Sequence, residues 1–418
     1  MSHSFHKEVK FKLYAKKIQV DRCYYIDWLR VLGLVCVFFF HNTRFFDLMD
    51  WEVKNNERFL EPTIFVMFVN FWIMPLLFML AGAGTSFALK FKTTMGYIRA
   101  RYWRLVIPYI FGIFILIPPQ RYVECLNKGK FAGTFFDFLP WYPAHRLFIV
   151  NFGFDPVWFG ELGTHLWFLA FLFIFSVITV PIITYFKSEN GIRLIKQLAA
   201  VGEKTGGIYL FVVPLALVRI LLQPVHPKYS SWADFIFLFV IFILGYLLFS
   251  DQRFIESADR HKYVSLSIGI FLFVVLLVIF IYFLDSLKLW WDHPDYSLGC
   301  VFFHIMWAAT TWSWLMFFLG AGKAFLNFEN VWLNSLNEGV MPVYMLHQTI
   351  IQIVGFQVIQ WSIGGPLKYS IIASISFVII ISTYYFLIKR VNWLRMLFGM
   401  KHLEFKAVAD GCKVEKIR

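Results

Sequence analysis

Ten long apolar stretches, each bounded by charge, proline or glycine, constrain this 418-residue chain more than any other feature. A helix needs about 20 mostly apolar residues to cross the hydrocarbon core of a bilayer. The stretches lie near 28–49, 62–89, 103–119, 164–186, 206–223, 233–250, 263–284, 298–320, 339–360 and 369–388. With 59% apolar residues, the chain has more apolar surface than a soluble domain can bury. The sequence therefore predicts an all-α integral membrane protein, with about ten transmembrane helices in one bundle.

The basic residues predict the orientation of this bundle. Of 39 Lys and Arg, 27 fall in alternate connections that include both chain ends, whereas 9 fall in the connections between them. Because cytosolic loops of membrane proteins carry the excess of positive charge, both termini should be cytosolic. The formal charge of +13 then orients the bundle and contacts membrane lipids, so no nucleic-acid partner is expected.

The same division sets the expected domain organisation. A cytosolic segment, 1–27, precedes the membrane domain, 28–388, and a basic cytosolic tail follows at 389–418. The first span lacks a cleavage site of small residues and is interpreted as a retained helix. The one long extracytoplasmic connection, 120–163, is rich in proline and aromatic residues. We expect it to fold back on the membrane surface as a partial lid or acceptor-binding segment.

The first span carries most of the ionisable residues that lie within the bilayer. Arg30 and His41 are eleven residues apart, which places them on one helix face and roughly 16 Å apart along the axis. Asp27 and Arg44 extend the same stripe. Ionisable groups in a membrane are costly and commonly functional. Alternatively, Asp27 forms an interfacial ion pair with Arg30, and Arg44 extends its side chain outward to the membrane surface.

Arg101 and Arg104 enter the third span within the segment R-A-R-Y-W-R. One helical turn apart, they present two planar guanidinium groups to one anion, a geometry suited to phosphate. Ordinary anchoring at lipid headgroups explains the same spacing.

Three further histidines, His165, His304 and His347, lie in or beside predicted spans. With His41 they can converge on one cavity, although each alone is typical of a hydrogen-bonded buried histidine. Glu338 stands on the predicted helix of His347 but nine residues away, half a turn out of phase, so direct pairing is not expected.

The sequence lacks the motifs of several other chemistries. No carboxylate lies in the middle of a span, and neither a G-x-S-x-G elbow nor a Walker-type phosphate loop is present. Five widely spaced cysteines predict neither a disulfide framework nor a metal site. If the protein performs chemistry, an imidazole must carry it. The small residues Gly82 to Ser86 in the second span are interpreted as helix-packing residues.

In this order along the chain, the motifs resemble those of the acyltransferase family 3 membrane proteins, most of all its glucans biosynthesis protein C branch. The motifs are Y-I-D-W-L-R-V-L at 25–32 leading to His41, M-P-L-L-F-M-L-A-G at 74–82, Arg101-x-x-Arg104, H-L-W-F-L at 165–169, P-V-Y-M-L-H-Q at 342–348 and L-R-M-L-F-G-M-K at 394–401. At 81–82 this chain has Ala-Gly where many relatives have Ser-Gly, a difference that concerns local packing.

The resemblance implies a multi-pass enzyme of the cytoplasmic (inner) membrane. It would transfer an acyl group, acetyl or succinyl, from cytosolic acyl-coenzyme A to a hydroxyl of an extracytoplasmic glycan or lipid-linked saccharide. Arg30, His41 and the pair Arg101 and Arg104 are the family's functional positions. The donor phosphates would bind Arg101 and Arg104, and the pantetheine arm would pass Arg30 to reach His41, the general base.

Some roles stay open at this point. Arg30 either binds the donor or orients His41, and His347 either pairs with His41 or accepts the acyl group transiently. No metal is expected. Two other functions fit the sequence: a transporter or flippase for a lipid-linked sugar, and a non-catalytic partner of a polysaccharide synthase.

Overall fold

The computed structural model describes residues 23–143 and 155–403, and within these ranges all regular structure is helical. The first 22 residues, the segment 144–154 of the long connection and the tail from residue 404 lie outside the described residues. The α-helices are α1 (Tyr24–Thr43), α2 (Leu60–Asn70), α3 (Ile73–Phe91), α4 (Thr94–Arg101), α5 (Ile107–Ile115), α6 (Ile117–Asn127), α7 (Phe135–Tyr142), α8 (Val157–Gly163), α9 (Trp167–Phe186), α10 (Glu189–Glu203), α11 (Val212–Leu222), α12 (Trp232–Leu248), α13 (Gln252–Arg260), α14 (Lys262–Tyr282), α15 (Leu284–Asp292), α16 (Leu298–Phe325), α17 (Leu333–Val358), α18 (Gly365–Ser382) and α19 (Asn392–Leu397).

Seven helical segments of the described chain are long and apolar enough to cross a membrane, and two bent pairs raise the number to nine. One bent pair joins α4 and α5 to α6 at 41°, and the other joins α12 to α13 at 103°. The shorter apolar segment Gly207–Leu222 covers the remaining predicted stretch. The all-helical membrane architecture is therefore confirmed, whereas ten spans and cytosolic termini remain predictions.

Helix α1 packs against other helices on one side and leaves Leu32, Val35 and Phe39 exposed on the other. It contacts α2, α3, α16, α17 and α18. Its polar residues therefore face other helices, as the cost of placing charge against lipid requires. We call the end of the bundle near Arg30 the Arg30 end, and the end near His41 the His41 end.

Close packing of α3 against α12 depends on glycine in both helices. A Cβ atom on Gly82 would lie 2.0 Å from the Phe242 carbonyl oxygen, and one on Gly245 would lie 2.2 Å from the Met79 carbonyl oxygen. The backbones are too close to admit any side chain at these positions. The packing interpretation of Gly82 is confirmed.

The chain that begins with α4 changes geometry twice on its way across the bundle. Tyr102–Val106 forms a π-helical turn just after Arg101, and a bend at Leu116 leads into α6. The helix then continues through Gln120 to Asn127, so the first residues of the predicted connection 120–163 are helical. In α6, Gln120 is buried and its Nε2 donates to Thr349 Oγ1 of α17 at 2.8 Å.

Candidate active site

Three of the four predicted histidines meet near the His41 end of α1. His41 lies in the last turn of α1, His347 lies in α17, and His165 lies in the short turn before α9. The His41 and His347 ring centroids are 4.9 Å apart, and those of His165 and His347 are 5.1 Å apart. His347 is the central ring. Three helices that are distant in sequence thus build one imidazole cluster.

His347 is held in a defined tautomer. Its Nδ1 contacts the Tyr344 carbonyl oxygen, which can only accept, so Nδ1 carries the ring proton. The neutral ring then has its lone pair on Nε2. Among the residues that the structure describes, this Nε2 has no hydrogen-bond partner although it is buried, and the same holds for Nδ1 of His41 on the neighbouring ring. Other buried side-chain atoms of the described ranges also lack partners, His304 Nε2 among them, but these two lie on adjacent rings of one cluster.

His165 is the anchored member of the cluster. Its Nε2 lies 3.2 Å from the Met345 carbonyl oxygen and therefore donates, and its Nδ1 lies 3.2 Å from Thr164 Oγ1. The Tyr344 hydroxyl donates to the His165 carbonyl oxygen at 2.5 Å. Since both ring nitrogens have partners, His165 positions the turn around His347 and has no free lone pair.

His304 does not belong to this cluster. It is buried in α16 against Phe303, and the nearest charge that acts on it is Arg219. The expectation that several imidazoles converge therefore applies to His41, His165 and His347 only.

A cluster of three arginines forms near the Arg30 end. The like charges of Arg30, Arg101 and Arg104 are close enough to repel one another. Arg30 Nη1 pairs with Asp27 at 3.2 Å, and Arg101 Nη2 donates to Thr85 Oγ1 at 3.3 Å. The side chain of Arg104, in the π-helical turn, makes no hydrogen bond or ion pair within residues 23–143 and 155–403. The carboxylate of Asp27 thus opposes three guanidinium groups, which leaves positive charge for an anion.

Helix α3 shapes this arginine cluster, which the packing interpretation of residues 82–86 did not anticipate. Arg30 Nη2 donates to the Leu80 carbonyl oxygen at 3.1 Å, and a Cβ on Gly84 would lie 2.9 Å from the same nitrogen. Thr85 Oγ1 lies 2.9 Å from the Tyr97 hydroxyl, and the Arg101 guanidinium lies 5.1 Å from the Tyr97 ring centroid. The missing side chain at Gly84 therefore makes room for Arg30.

The charged residues at the two ends of the predicted stripe have structural partners. Asp27 also accepts from Asn337 Nδ2 at 2.9 Å, in addition to its pair with Arg30. Arg44 is buried and pairs with Asp47 at 2.7 Å in the α1–α2 connection. The ion-pair interpretation of Asp27 is confirmed, and Arg44 points into the protein rather than outward.

Glu338 pairs with residues of the C-terminal segment, as its phase relative to His347 allows. Its Oε1 accepts from Arg395 Nη2 at 2.7 Å, and Arg395 also donates to the Lys389 and Lys401 carbonyl oxygens. The motif at 394–401 therefore fastens the end of the described chain to α17.

The connection between α1 and α2 covers the histidines. The Trp51 ring lies 5.9 Å from the His41 ring at 29°, and the adjacent Glu52 Oε2 accepts from Gln348 and Gln352 of α17. Burial raises the pKa of the Glu52 carboxyl above its ordinary 4.5. Nothing in the sequence of this polar connection indicated that it turns inward.

No group of His, Cys, Asp and Glu in the described ranges has the arrangement of a metal site. The polar groups of the described ranges include an imidazole pair, His41 and His347, and a separate cationic cluster, and α1 contributes a residue to each. Such a pair of sites suits a reaction that joins a polyanionic donor to an uncharged hydroxyl.

The family model of the Acyltransferase domain, that of acyltransferase family 3, matches residues 24–385. The chain therefore belongs to this family of membrane acyltransferases.

Among curated proteins, it is similar to glucans biosynthesis protein C from Escherichia coli O6:K15:H31, with 26% identity over 246 residues that make up 56% of this chain and 59% of the relative. The proteins of the same name from Escherichia coli O157:H7 and Shigella dysenteriae serotype 1 match to the same extent. The chain thus spans about three fifths of the length of these relatives. No solved structure matches.

Proposed function

We propose that this membrane acyltransferase moves an acyl group from cytosolic acyl-coenzyme A to a hydroxyl of an extracytoplasmic glycan. The observation that carries the proposal is the placement of the arginine cluster and the His41–His347 pair along one helix, α1. From Arg30 to His41 the helix rises roughly 16 Å. A donor with phosphates at one end and a thioester at the other fits this separation.

The donor binds with its phosphates on the arginine cluster. Arg101 and Arg104 supply planar donors suited to phosphate, and Lys90 and Lys92 stand at the end of α3 nearby in the chain. Arg104 is exposed, so a donor phosphate can reach it, and the bound phosphate would relieve the repulsion among the three guanidinium groups. Arg30, whose side chain is 29% exposed within the bundle, lies along the path of the pantetheine arm.

His41 is the general base of the transfer. It takes the proton from the acceptor hydroxyl while that oxygen attacks the thioester carbonyl carbon. The carbon–sulfur bond then breaks, and the proton passes to the departing thiolate, which yields coenzyme A and the acyl ester. His347 positions His41: its Nε2 lone pair can accept from a His41 N–H and so hold the imidazole toward the acceptor.

The acceptor is a glycan of the extracytoplasmic face, either free or lipid-linked, and the protein resides in the cytoplasmic membrane. The similar proteins carry glucans in their names, which supports a glycan acceptor. Acetyl and succinyl are the acyl groups that we propose. O-acetylation and O-succinylation give different mass increments, so one measurement decides between them.

Mass spectrometry of periplasmic and surface glycans tests the proposal, with cells that contain the wild-type protein, no protein, His41→Ala or His304→Ala. His304 provides the matched control because it is a buried histidine outside the cluster. We expect acyl increments with the wild type and His304→Ala, and their loss in the other two strains. Glycans that change in abundance or location but never carry an acyl increment would indicate a transporter or flippase instead.

A further inference from the structure

The connection between α1 and α2 is built to hold two residues against the active site. Lys54 Nζ and Arg44 Nη1 both pair with the buried Asp47, at 2.9 Å and 2.7 Å. These ion pairs tie the two ends of the segment together. Between them, Trp51 is held over His41 and Glu52 is held against α17.

Glu52 and two glutamines of α17 form a polar cluster in which hydrogen-bond acceptors outnumber donors. Gln348 and Gln352, one helical turn apart, each donate Nε2 to the same oxygen, Oε2 of Glu52. The side-chain carbonyl oxygens of both glutamines are buried without a partner, and the residues are only 3% and 0% exposed. Oε1 of Glu52 accepts no hydrogen bond from the residues described. Three acceptor atoms thus stand without donors next to His347.

This excess of acceptors defines the ligand chemistry. Buried acceptors without partners are unfavourable, and a ligand that supplies several O–H donors would satisfy them. Trp51 adds a flat apolar surface with a polar edge, on which the C–H face of a sugar ring can lie. Charged sugars fit less well, because a carboxylate or phosphate would bring only acceptors and a negative charge close to Glu52.

The charges around Glu52 are already balanced. Four cations lie around it, and with Glu52 four carboxylates face them: Arg121 and Lys128 pair with Glu124, Arg44 and Lys54 pair with Asp47, and Asp50 also acts on Arg44. These cations therefore leave no net positive charge that would attract an anionic sugar.

We propose that Trp51, Glu52, Gln348 and Gln352 form the acceptor subsite, which binds an uncharged, hydroxyl-rich sugar unit beside His41. This inference deepens the proposed function and rests on it for the identification of the sugar as the acyl acceptor. The subsite is specific because its acceptor atoms lack hydrogen-bond donors. Each sugar hydroxyl that donates to Glu52 or to a glutamine oxygen fixes the sugar ring relative to the His41 imidazole.

The test compares Glu52→Gln with Glu57→Gln in purified protein reconstituted into lipid nanodiscs. Glu57 lies in the same connection, but its side chain is exposed. With acyl-coenzyme A and a neutral glucose oligosaccharide, Glu52→Gln should raise the acceptor KM about tenfold and leave the donor KM unchanged. Glu57→Gln should match the wild type. An unchanged acceptor KM in Glu52→Gln would overturn the subsite while leaving the transferase proposal standing.

A second measurement uses the wild-type protein, so it does not depend on folding of a variant or on turnover. A carbodiimide modifies accessible carboxyl groups, and peptide mass mapping reports the modification at Glu52. The neutral oligosaccharide should protect Glu52, whereas a uronic acid oligomer of the same length should not. Equal modification with and without the neutral sugar would show that only water occupies the site and would overturn the subsite. Protection without any acyl transfer would keep the subsite and refute the proposed function.

Discussion

Replacing Gly84 by alanine should displace Arg30 without unfolding the protein. The new Cβ would lie 2.9 Å from Arg30 Nη2, whereas ordinary van der Waals contacts begin near 3.4 Å. The guanidinium must therefore retreat by about half an ångström, and it can, because it is the far end of a flexible side chain. Its hydrogen bond to the Leu80 carbonyl oxygen, 3.1 Å long, would stretch beyond useful length.

The size of the effect follows from that hydrogen bond. A hydrogen bond to a charged group contributes about 1.5–3 kcal/mol, and about 1.4 kcal/mol corresponds to a factor of ten. We therefore expect the KM for acyl-coenzyme A to rise about 10-fold to 100-fold in Gly84→Ala, with the acceptor KM unchanged. Thermal unfolding followed by fluorescence should show a folded protein.

Two other glycines provide the controls. Gly82→Ala places a Cβ 2.0 Å from the Phe242 carbonyl oxygen, a backbone atom that cannot move aside, so this variant should lose stability by about 1–3 kcal/mol or more. Gly364→Ala meets nothing within 4 Å and should behave as the wild type. A folded Gly84→Ala protein with an unchanged donor KM would refute the placement of Arg30 in the donor path.

Three further predictions concern the cationic cluster, the C-terminal segment and the connection between α1 and α2. Exchanging Arg101 and Arg104 for glutamine should raise the donor KM in steady-state assays by at least tenfold, since each charge-assisted phosphate contact contributes about 1.5–3 kcal/mol. An unchanged donor KM would show that the two arginines serve only as lipid anchors. Arg395→Ala should lower the free energy of unfolding by about 1–3 kcal/mol in a thermal or denaturant assay. The variant loses the hydrogen bonds of Arg395 to Glu338 and to the Lys389 and Lys401 carbonyl oxygens. Wild-type stability would contradict this. Burial raises the folded-state pKa of Glu52, so the folded protein binds a proton more readily than the unfolded chain. The melting temperature of the wild type relative to Glu52→Gln should therefore rise as the pH falls from neutral toward 4.5. A melting-temperature difference that does not depend on pH would contradict this.

The periodicity of one helix predicts that Arg30 and His41, the two ends of the proposed site, share a face. Eleven residues separate Arg30 from His41, and this spacing places both on one face whatever the rest of the fold does. The adjacent arginines of the third span could be predicted for the same reason. The apolar stretches also predicted the helical membrane architecture, because the bilayer leaves few alternatives for a chain with so many of them.

Contacts between distant segments could not be predicted in this way. His347 approaches His41 because α1 packs against α17, and it approaches His165 because the turn before α9 is hydrogen-bonded to the Met345 carbonyl oxygen, whereas His304 packs elsewhere. Gly84 has the appearance of a packing residue until Arg30 is found beside it. The inward turn at Trp51 and Glu52 depends on ion pairs of Asp47 with Arg44 and Lys54, which are close in sequence but lie in an irregular connection where no helical period predicts them.

Transfer across a sealed bilayer tests the central claim most directly. Proteoliposomes would enclose acyl-coenzyme A labelled in the acyl group, with the glycan acceptor outside only. Labelled acyl glycan should then form with the wild type and with His304→Ala, and His41→Ala should lower its rate about 10²-fold to 10⁴-fold. Transfer that requires donor and acceptor on the same side, or that proceeds undiminished in His41→Ala, would contradict a transmembrane transfer based on His41.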